Sequence, residues 1–167
     1  IPLLAKVIEN CAKADVDAFI VQDMGVARLS RQIVPELPLH ASTQMTVNSP
    51  EGAIMAKELG FTRVVLGREL SFAQIKAITE SCDIETELFV HGALCVCISG
   101  QCYMSSVLGG RSGNRGLCAQ PCRLDFTSGD RHNVLSLKDL SLTEKLPELA
   151  KAGITSFKIE GRMKRPE

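Results

Sequence analysis

The segment NSPEGAIMAKELGFTRVVL, residues 48–66, predicts one complete helix–strand unit. Its asparagine and serine are helix-capping residue types, and Pro50 suits the first position of a helix. Gly60 is placed to end that helix, because glycine adopts the left-handed conformation at little cost. The run Thr62–Leu66 is rich in β-branched residues, which favours a buried strand.

The same alternation extends through the first ninety residues. Further strands are expected at 18–21, 39–42 and 87–90, and helices over about 2–13, from Gly25 to near Pro35, and from Ser71, whose Gln74 fits a capping box. After a break, strands are expected at 123–127, 133–137 and 156–159, with a turn at 128–130 between the first two. A helix is expected at 142–151, where Pro147 interrupts it and Gly153 ends it. Strands that alternate with helices imply a parallel sheet.

The predicted fold class is α/β. A complete (β/α)₈ barrel takes about 250 residues, so this sequence predicts an incomplete TIM-like barrel, its C-terminal portion. Residues 1–167 are expected to form one barrel-like domain fragment whose upstream strands are absent from the sequence. An open doubly wound sheet is the alternative. A dinucleotide-binding fold is less favoured, because no G-x-G-x-x-G follows a strand.

Composition restricts the class of protein. The formal net charge is zero, which argues against a broad basic surface for nucleic acid but leaves a local patch open. The apolar runs are too short for a signal peptide or a membrane span, so no membrane partner is expected. The sequence favours a cytoplasmic protein of unknown oligomeric state.

Cysteines dominate a segment that breaks the helix–strand alternation. The chain has seven cysteines, and five of them lie between Cys95 and Cys122. We interpret about residues 91–123 as a cysteine-rich insertion after a strand, at the sheet edge where α/β proteins build their sites. An odd, clustered set without a secretion signal favours metal or redox chemistry over a disulfide framework.

Several kinds of chemistry fit these cysteines. Four thiolates on a Gly- and Arg-rich loop can surround an iron–sulfur cluster or a zinc ion. Disulfides are a further alternative, as is a nucleophilic cysteine with His91 as its base. Cys11 and Cys82 lie on helical stretches and are expected to be packing residues, and Cys97 is interpreted as a packing or solvent-facing residue.

Residues 87–105, ELFVHGALCVCISGQCYMS, resemble the signature of peptidase family U32, the collagenase-like family of unassigned catalytic type. The resemblance continues in residues 114–123 (NRGLCAQPCR), 135–140 (LSLKDL) and 157–164 (FKIEGRMK). The N-terminal half resembles the family mainly in its alternating pattern and in residues 17–23 (DAFIVQD) and 42–44 (STQ).

This resemblance implies two kinds of activity. The family was named for collagenase-like proteolysis, yet no Ser–His–Asp, Cys–His or H-E-x-x-H pattern stands out here. Better-understood relatives are bacterial tRNA and rRNA hydroxylation factors and oxygen-independent ubiquinone hydroxylation factors. In the last of these, four cysteines hold a four-iron cluster. Four positions of this sequence match the spacing of those ligands: Cys95, Cys102, Cys118 and Cys122.

Other polar residues are candidates for the same site. His91 and Glu160 are the catalytic candidates. His40 precedes residues 42–44 at the end of another predicted strand, so it is expected to face the same site. The predicted substrate-binding residues are Arg111, Arg115 and Arg162. His132 is expected to be solvated in a hairpin turn.

The predicted function is therefore an iron–sulfur-dependent enzyme of RNA hydroxylation. A true protease acting on peptides is one alternative. The other is a zinc- or cluster-bearing module that docks RNA or protein without catalysis.

Overall fold

The computed structural model describes residues 1–161, in which six strands and six α-helices alternate. The strands are β1 (Phe19–Val21), β2 (Leu39–Ala41), β3 (Arg63–Val65), β4 (Glu85–Gly92), β5 (Leu140–Ser141) and β6 (Ser156–Ile159). The helices are α1 (Pro2–Lys13), α2 (Met24–Ile33), α3 (Pro50–Glu58), α4 (Phe72–Ser81), α5 (Met104–Gly109) and α6 (Leu146–Lys151).

The sheet is mostly parallel. Strands β1, β2, β3 and β4 pair in sequence order, and β6 pairs with β4 in the same direction. The short β5 pairs antiparallel with the end of β4, where His91 faces Ser141. The α/β prediction is confirmed. Within residues 1–161 the sheet does not close on itself, so the structure does not confirm a barrel.

The two faces of the sheet differ in polarity because successive strand residues point to opposite sides. Helices α2, α3, α4 and α6 cover one face, and its core includes Leu39, Val64 and Leu88. The other face, here called the inner face, includes the alternate residues, among them Arg63 and Glu87. The helix-covered face, here called the outer face, therefore supplies the hydrophobic core, and the inner face carries charged side chains.

The local signals of the opening segment are confirmed. The Ser49 hydroxyl accepts the Gly52 N–H and caps α3, and Gly60 after that helix has a φ of +85°. The capping box of Ser71 and Gln74 opens α4 as expected. These capping interactions involve residues that are close in sequence, so they do not depend on the tertiary structure.

The predicted strands at 123–127 and 133–137 are wrong. Residues 121–123 form a 3₁₀ turn, and nearby backbone groups bond locally, as in Phe126 N–H to the Leu124 carbonyl. An isolated bridge joins Ser128 to Arg131, and the Val134 N–H donates to the Phe126 carbonyl, but these bonds do not extend into a strand. The β-branched and apolar residues there are largely exposed, Leu124 for example, so no buried face stabilises a strand.

The helix expected at 142–151 begins later. A 3₁₀ turn covers Thr143–Lys145, and α6 begins at Leu146 with Pro147 in its first turn. Proline lacks the N–H that a helix interior needs, so it suits this position and not a later one. No helix in the described range is long and apolar enough to cross a membrane.

Candidate functional site

A cavity of about 660 Å³ lies at the carboxyl edge of the sheet. Its lining includes Val65 of β3, Phe89 of β4, residues after β2 and β6, and much of the segment 93–123. Parallel strands bring their carboxyl ends to one edge, so loops that are distant in sequence meet there. The cysteine-rich segment therefore closes over the end of the sheet.

Four cysteines contribute to the lining of this cavity: Cys95, Cys102, Cys118 and Cys122. They are the four predicted ligands, and all seven cysteines are free thiols. In the part of the chain that is described, Cys97, Cys11 and Cys82 do not contribute to the lining. Within residues 1–161, no three His, Cys, Asp or Glu side chains converge closely enough to hold a single metal ion. The ligand assignment thus stays a prediction.

The Cys95 thiol lies beside a cation and other sulfurs. The Arg68 Nη1 atom is 3.9 Å from its Sγ atom, a long hydrogen bond to sulfur. Partial burial raises the pKa of Cys95, the Arg68 charge opposes this, and Cys102, Glu160 and Cys122 add to the rise. Arg68 is therefore the cation that lies against the Cys95 sulfur, and Glu160 is the carboxylate beside it.

Arg68 is a site residue that sequence reasoning missed. Its guanidinium lies 3.8 Å from the centre of the Phe89 ring, and its Nη2 atom pairs with the Glu160 carboxylate. The side chain is 9% exposed, and its Nε atom is buried without a partner among the described residues. The available signal was position, because Arg68 follows the predicted strand 62–66 at the edge where sites are built.

The next residue, Glu69, anchors the cysteine-rich segment. Its carboxylate accepts the backbone N–H and the hydroxyl of Ser99, and Ser99 is buried. The Thr46 hydroxyl donates to the Ser99 carbonyl at 3.0 Å. The segment between the first two predicted ligands is therefore tied to the loops after β2 and β3.

Gly100 makes the closest approach between these loops. It has a φ of +83°, and a Cβ atom there would lie 2.5 Å from the Gln44 carbonyl oxygen. Only glycine fits such a conformation and such a contact. The Gln44 amide donates to the Gly113 carbonyl, and the Gln22 amide donates to the Asn114 carbonyl. Residues of the stretches 17–23 and 42–44 thus support the arginine-containing loop.

The predicted substrate-binding arginines have different positions. Arg115 contributes to the cavity lining, whereas Arg111 donates from Nε to the Leu117 carbonyl at 2.8 Å and is absent from the described lining. Arg162 lies outside the described residues. Arg123 also lines the cavity and donates to the Leu94 carbonyl at 3.2 Å, which links the last cysteine pair to the first.

The two catalytic candidates also differ. Glu160 lines the cavity and pairs with Arg68, whereas His91 is exposed on β4 and is not among the described lining residues. Their catalytic roles stay predictions. His132 is exposed as expected, and its hydrogen bond, with that of the Asn133 N–H, holds the pKa of Asp125 below its usual value.

The expectation that His40 faces the same site is wrong. His40 lies on β2 in a second cavity at the inner face, with Arg63 and Glu87. Its strand position points it to this face but one level below the carboxyl edge. Burial lowers the pKa of His40, as does the charge of Arg63.

Glu87 is the centre of an ionic network on the inner face. Its side chain is 9% exposed and accepts hydrogen bonds from Lys158 at 2.8 Å, Ser156 at 3.2 Å and Arg63 at 3.4 Å. Burial raises the pKa of Glu87, but Lys158, Ser156 and Arg63 outweigh it and hold this pKa below its usual value. The network joins β3, β4 and β6 under the cavity.

Comparison with known proteins identifies a family along the whole chain. The sequence model described as Peptidase family U32 matches residues 1–167. A solved U32 peptidase structure superposes with a TM-score of 0.60 and 17% sequence identity, over 96% of this chain and 61% of that one. That likeness supports the fold alone.

Curated relatives carry two kinds of name. A 23S rRNA 5-hydroxycytidine synthase of Escherichia coli is 46% identical over 95% of this chain and 25% of its own length. The tRNA hydroxylation protein P1 of Bacillus subtilis is 39% identical over 90% of this chain and 39% of its own. A protein of Porphyromonas gingivalis named collagenase is 33% identical over 100% of this chain and 45% of its own. The chain thus spans less than half of the length of each of these relatives.

Proposed function

The chain belongs to peptidase family U32, and from this membership we propose that it forms the iron–sulfur-binding part of an RNA hydroxylation enzyme. The observation that carries the proposal is the shared cavity of Cys95, Cys102, Cys118 and Cys122. Relatives named for rRNA and tRNA hydroxylation support the substrate class.

The donor set fits a cluster. Thiolates are the usual ligands of iron–sulfur clusters, and hydrogen bonds to their sulfurs tune the cluster. The Cys118 sulfur accepts the Gln120 N–H at 3.3 Å, and the Arg68 Nη1 atom lies 3.9 Å from the Cys95 sulfur. When bound, such a cluster supplies one-electron chemistry, and the surrounding chain orients the substrate beside it.

The inner face supports a barrel as the finer fold. The network of Glu87, Arg63 and Lys158 lies on a sheet face that the described helices leave uncovered. Further strands of the whole protein would close the sheet and enclose this face. The cavity would then lie at the mouth of the barrel, as sites do in this architecture.

The proposed occupant of the cavity of about 660 Å³ is a single unstacked nucleobase. Enzymes that modify a base take it out of its stack and hold it in a pocket. We place Arg115 on the RNA backbone at the rim, with Arg111 and Arg162 as further proposed contacts, because phosphate neutralisation supplies much of the affinity for nucleic acid. Glu160 is the catalytic candidate that lies in the cavity, and His91 is the outer one.

The cluster is tested by purifying the intact protein without oxygen and measuring iron, sulfide, zinc and visible absorption. Serine variants of each of the four cavity cysteines should lower iron content, whereas Cys97→Ser, the matched control, should keep it. Unchanged iron in one variant removes that cysteine from the ligand set. Colourless protein without iron contradicts the cluster, and stoichiometric zinc in its place supports the zinc alternative.

The RNA substrate is tested in cells that lack the gene. Mass spectrometry of nucleosides from their tRNA and rRNA should show the loss of one hydroxylated nucleoside. The wild-type gene should restore it and the Cys118→Ser gene should not. If neither RNA loses such a nucleoside, the proposed substrate is wrong.

The relative named collagenase keeps proteolysis as a second candidate. An activated cysteine nucleophile has a lowered pKa, but partial burial raises the pKa of Cys95. In residues 1–161, no hydrogen bond joins His91 to a cysteine. Peptide cleavage by the intact protein that Cys95→Ser abolishes would favour the protease.

A further inference from the structure

Arg68 touches both the cysteine set and the aromatic residue beneath it. Its guanidinium stacks on Phe89 at 3.8 Å, and its Nη1 atom lies 3.9 Å from the Cys95 sulfur. Phe89 prevents the guanidinium from moving toward the sheet, and Glu160 holds its Nη2 side. Three groups thus define the position of one nine-tenths buried cation.

The neighbouring cation is engaged elsewhere. Lys158 also lies over the Phe89 ring, at 5.4 Å, but its ammonium pairs with Glu87 at 2.8 Å. Among the hydrogen bonds in residues 1–161, Arg68 is the one cationic side chain that reaches a cysteine sulfur. Its positive charge therefore lies beside the Cys95 sulfur, and the paired Glu160 carboxylate opposes that charge.

We propose that the positive charge of Arg68 raises the reduction potential of the cluster whose proposed ligands include Cys95. The negative charge of Glu160 lowers the same potential. The inference rests on the proposed cluster. Reduction adds an electron to a group that already carries negative charge, so a nearby cation favours the reduced form and a nearby carboxylate disfavours it. The effect grows as less water reaches the charge, and the Arg68 side chain is 9% exposed.

Reductive titration of the anaerobic, intact protein tests this inference, with iron content measured on each sample. Arg68→Gln should lower the midpoint potential, so that about tenfold less cluster is reduced at a fixed potential, equivalent to about 59 mV for one electron. Glu160→Gln keeps a hydrogen-bond acceptor for Arg68 but removes the charge, and it should shift the potential upward. Arg68→Lys keeps the charge and should shift it less than Arg68→Gln does.

Arg63→Gln is the matched control, because Arg63 is a cation of the same sheet face whose recorded contacts are Glu85 and Glu87 and include no cysteine. Its potential should stay near that of the wild type. Shifts of opposite sign at Arg68 and Glu160 support the inference, since loss of packing would not produce them. If the variants contain iron but their reduction potentials are unchanged, the role of Arg68 and Glu160 is wrong and the proposed function still stands. If the wild-type protein contains no iron, the proposed function is wrong as well. If Arg68→Gln fails to hold iron, an unmoved or lowered potential in Glu160→Gln overturns the inference.

Discussion

The Glu69 carboxylate holds Ser99 by two hydrogen bonds, from its backbone N–H at 3.0 Å and from its hydroxyl at 2.9 Å. Ser99 lies between Cys95 and Cys102, so this pair determines where that part of the segment lies relative to β3. The contact joins residues that are 30 positions apart. It makes the placement of the first two cavity cysteines depend on the loop after β3.

Glu69→Ala should therefore loosen the cysteine-rich segment. The substitution leaves a buried N–H and hydroxyl without their acceptor, at a cost of about 1–3 kcal/mol. Hydrogen exchange should become faster in residues 95–102, and iron content should fall. Glu9→Ala on the exposed surface of α1 is the control. Equal exchange in both variants would contradict the anchoring role.

Gly100→Ala should be more disruptive than Gly110→Ala. Both glycines have positive φ, at +83° and +65°, so alanine is strained by about 1–2 kcal/mol at either position. A Cβ atom at Gly100 also meets the Gln44 carbonyl, whereas at Gly110 nothing lies within 4 Å. Denaturant unfolding gives the free energy of unfolding of each variant. The loss in Gly110→Ala measures the backbone strain, and the additional loss in Gly100→Ala measures the steric clash with Gln44. Equal losses of stability would show that the collision is relieved at no cost.

Glu87 predicts a loss of stability in acid. The pKa of Glu87 is lower in the folded protein than in the unfolded chain, where it is about 4.3. The ionised side chain therefore adds to the free energy of unfolding above that pH, and this stabilisation is lost as the pH falls through the pKa of the folded state. At pH 7, Glu87→Gln should cost about 1–3 kcal/mol, because a charged hydrogen-bond acceptor is lost. The difference from the wild type should narrow below about pH 4.

The control for this prediction is Glu85→Gln. Glu85 pairs with the same Arg63 but is 53% exposed, so solvent screens the interaction and the variant should differ little from the wild type. Thermal unfolding followed from pH 3 to pH 7 gives both curves. A constant difference between wild type and Glu87→Gln across that range would contradict the assignment.

Arg123→Lys should separate the two halves of the cysteine segment. Arg123 donates to Leu94, Ser136, Leu137 and Asp139 with a planar fork that a single ammonium cannot reproduce. Faster proteolysis after residue 93 and a lower iron content are expected. Arg131→Lys, in an exposed turn, is the matched control. Iron content equal to that of the control would show that Arg123 does not organise the site.

Short-range patterns account for the correct parts of the fold prediction. Ser49, Ser71 with Gln74, and Gly60 act through neighbours within four residues, so their effects do not depend on distant chain. The predicted strands at 123–127 and 133–137 are wrong because apolar residues stabilise a strand only where a face is buried, and Leu124 is exposed. Strand propensity is a local preference, and a stretch of chain forms a strand only where one of its faces is buried.

Sequence by itself determined the family and the α/β class, because motifs and the alternation of helices and strands are carried directly along the chain. It also predicted the four cysteines that line the cavity, through the resemblance to that family. Only the tertiary structure decided which charges act on those cysteines. Arg68, Phe89 and Glu160 come from the loop after β3, the middle of β4 and the end of β6, and they meet because parallel strands end at one edge. His40 lies on the same inner face as Phe89 but nearer the amino-terminal ends of the strands, in the second cavity and away from the cysteines.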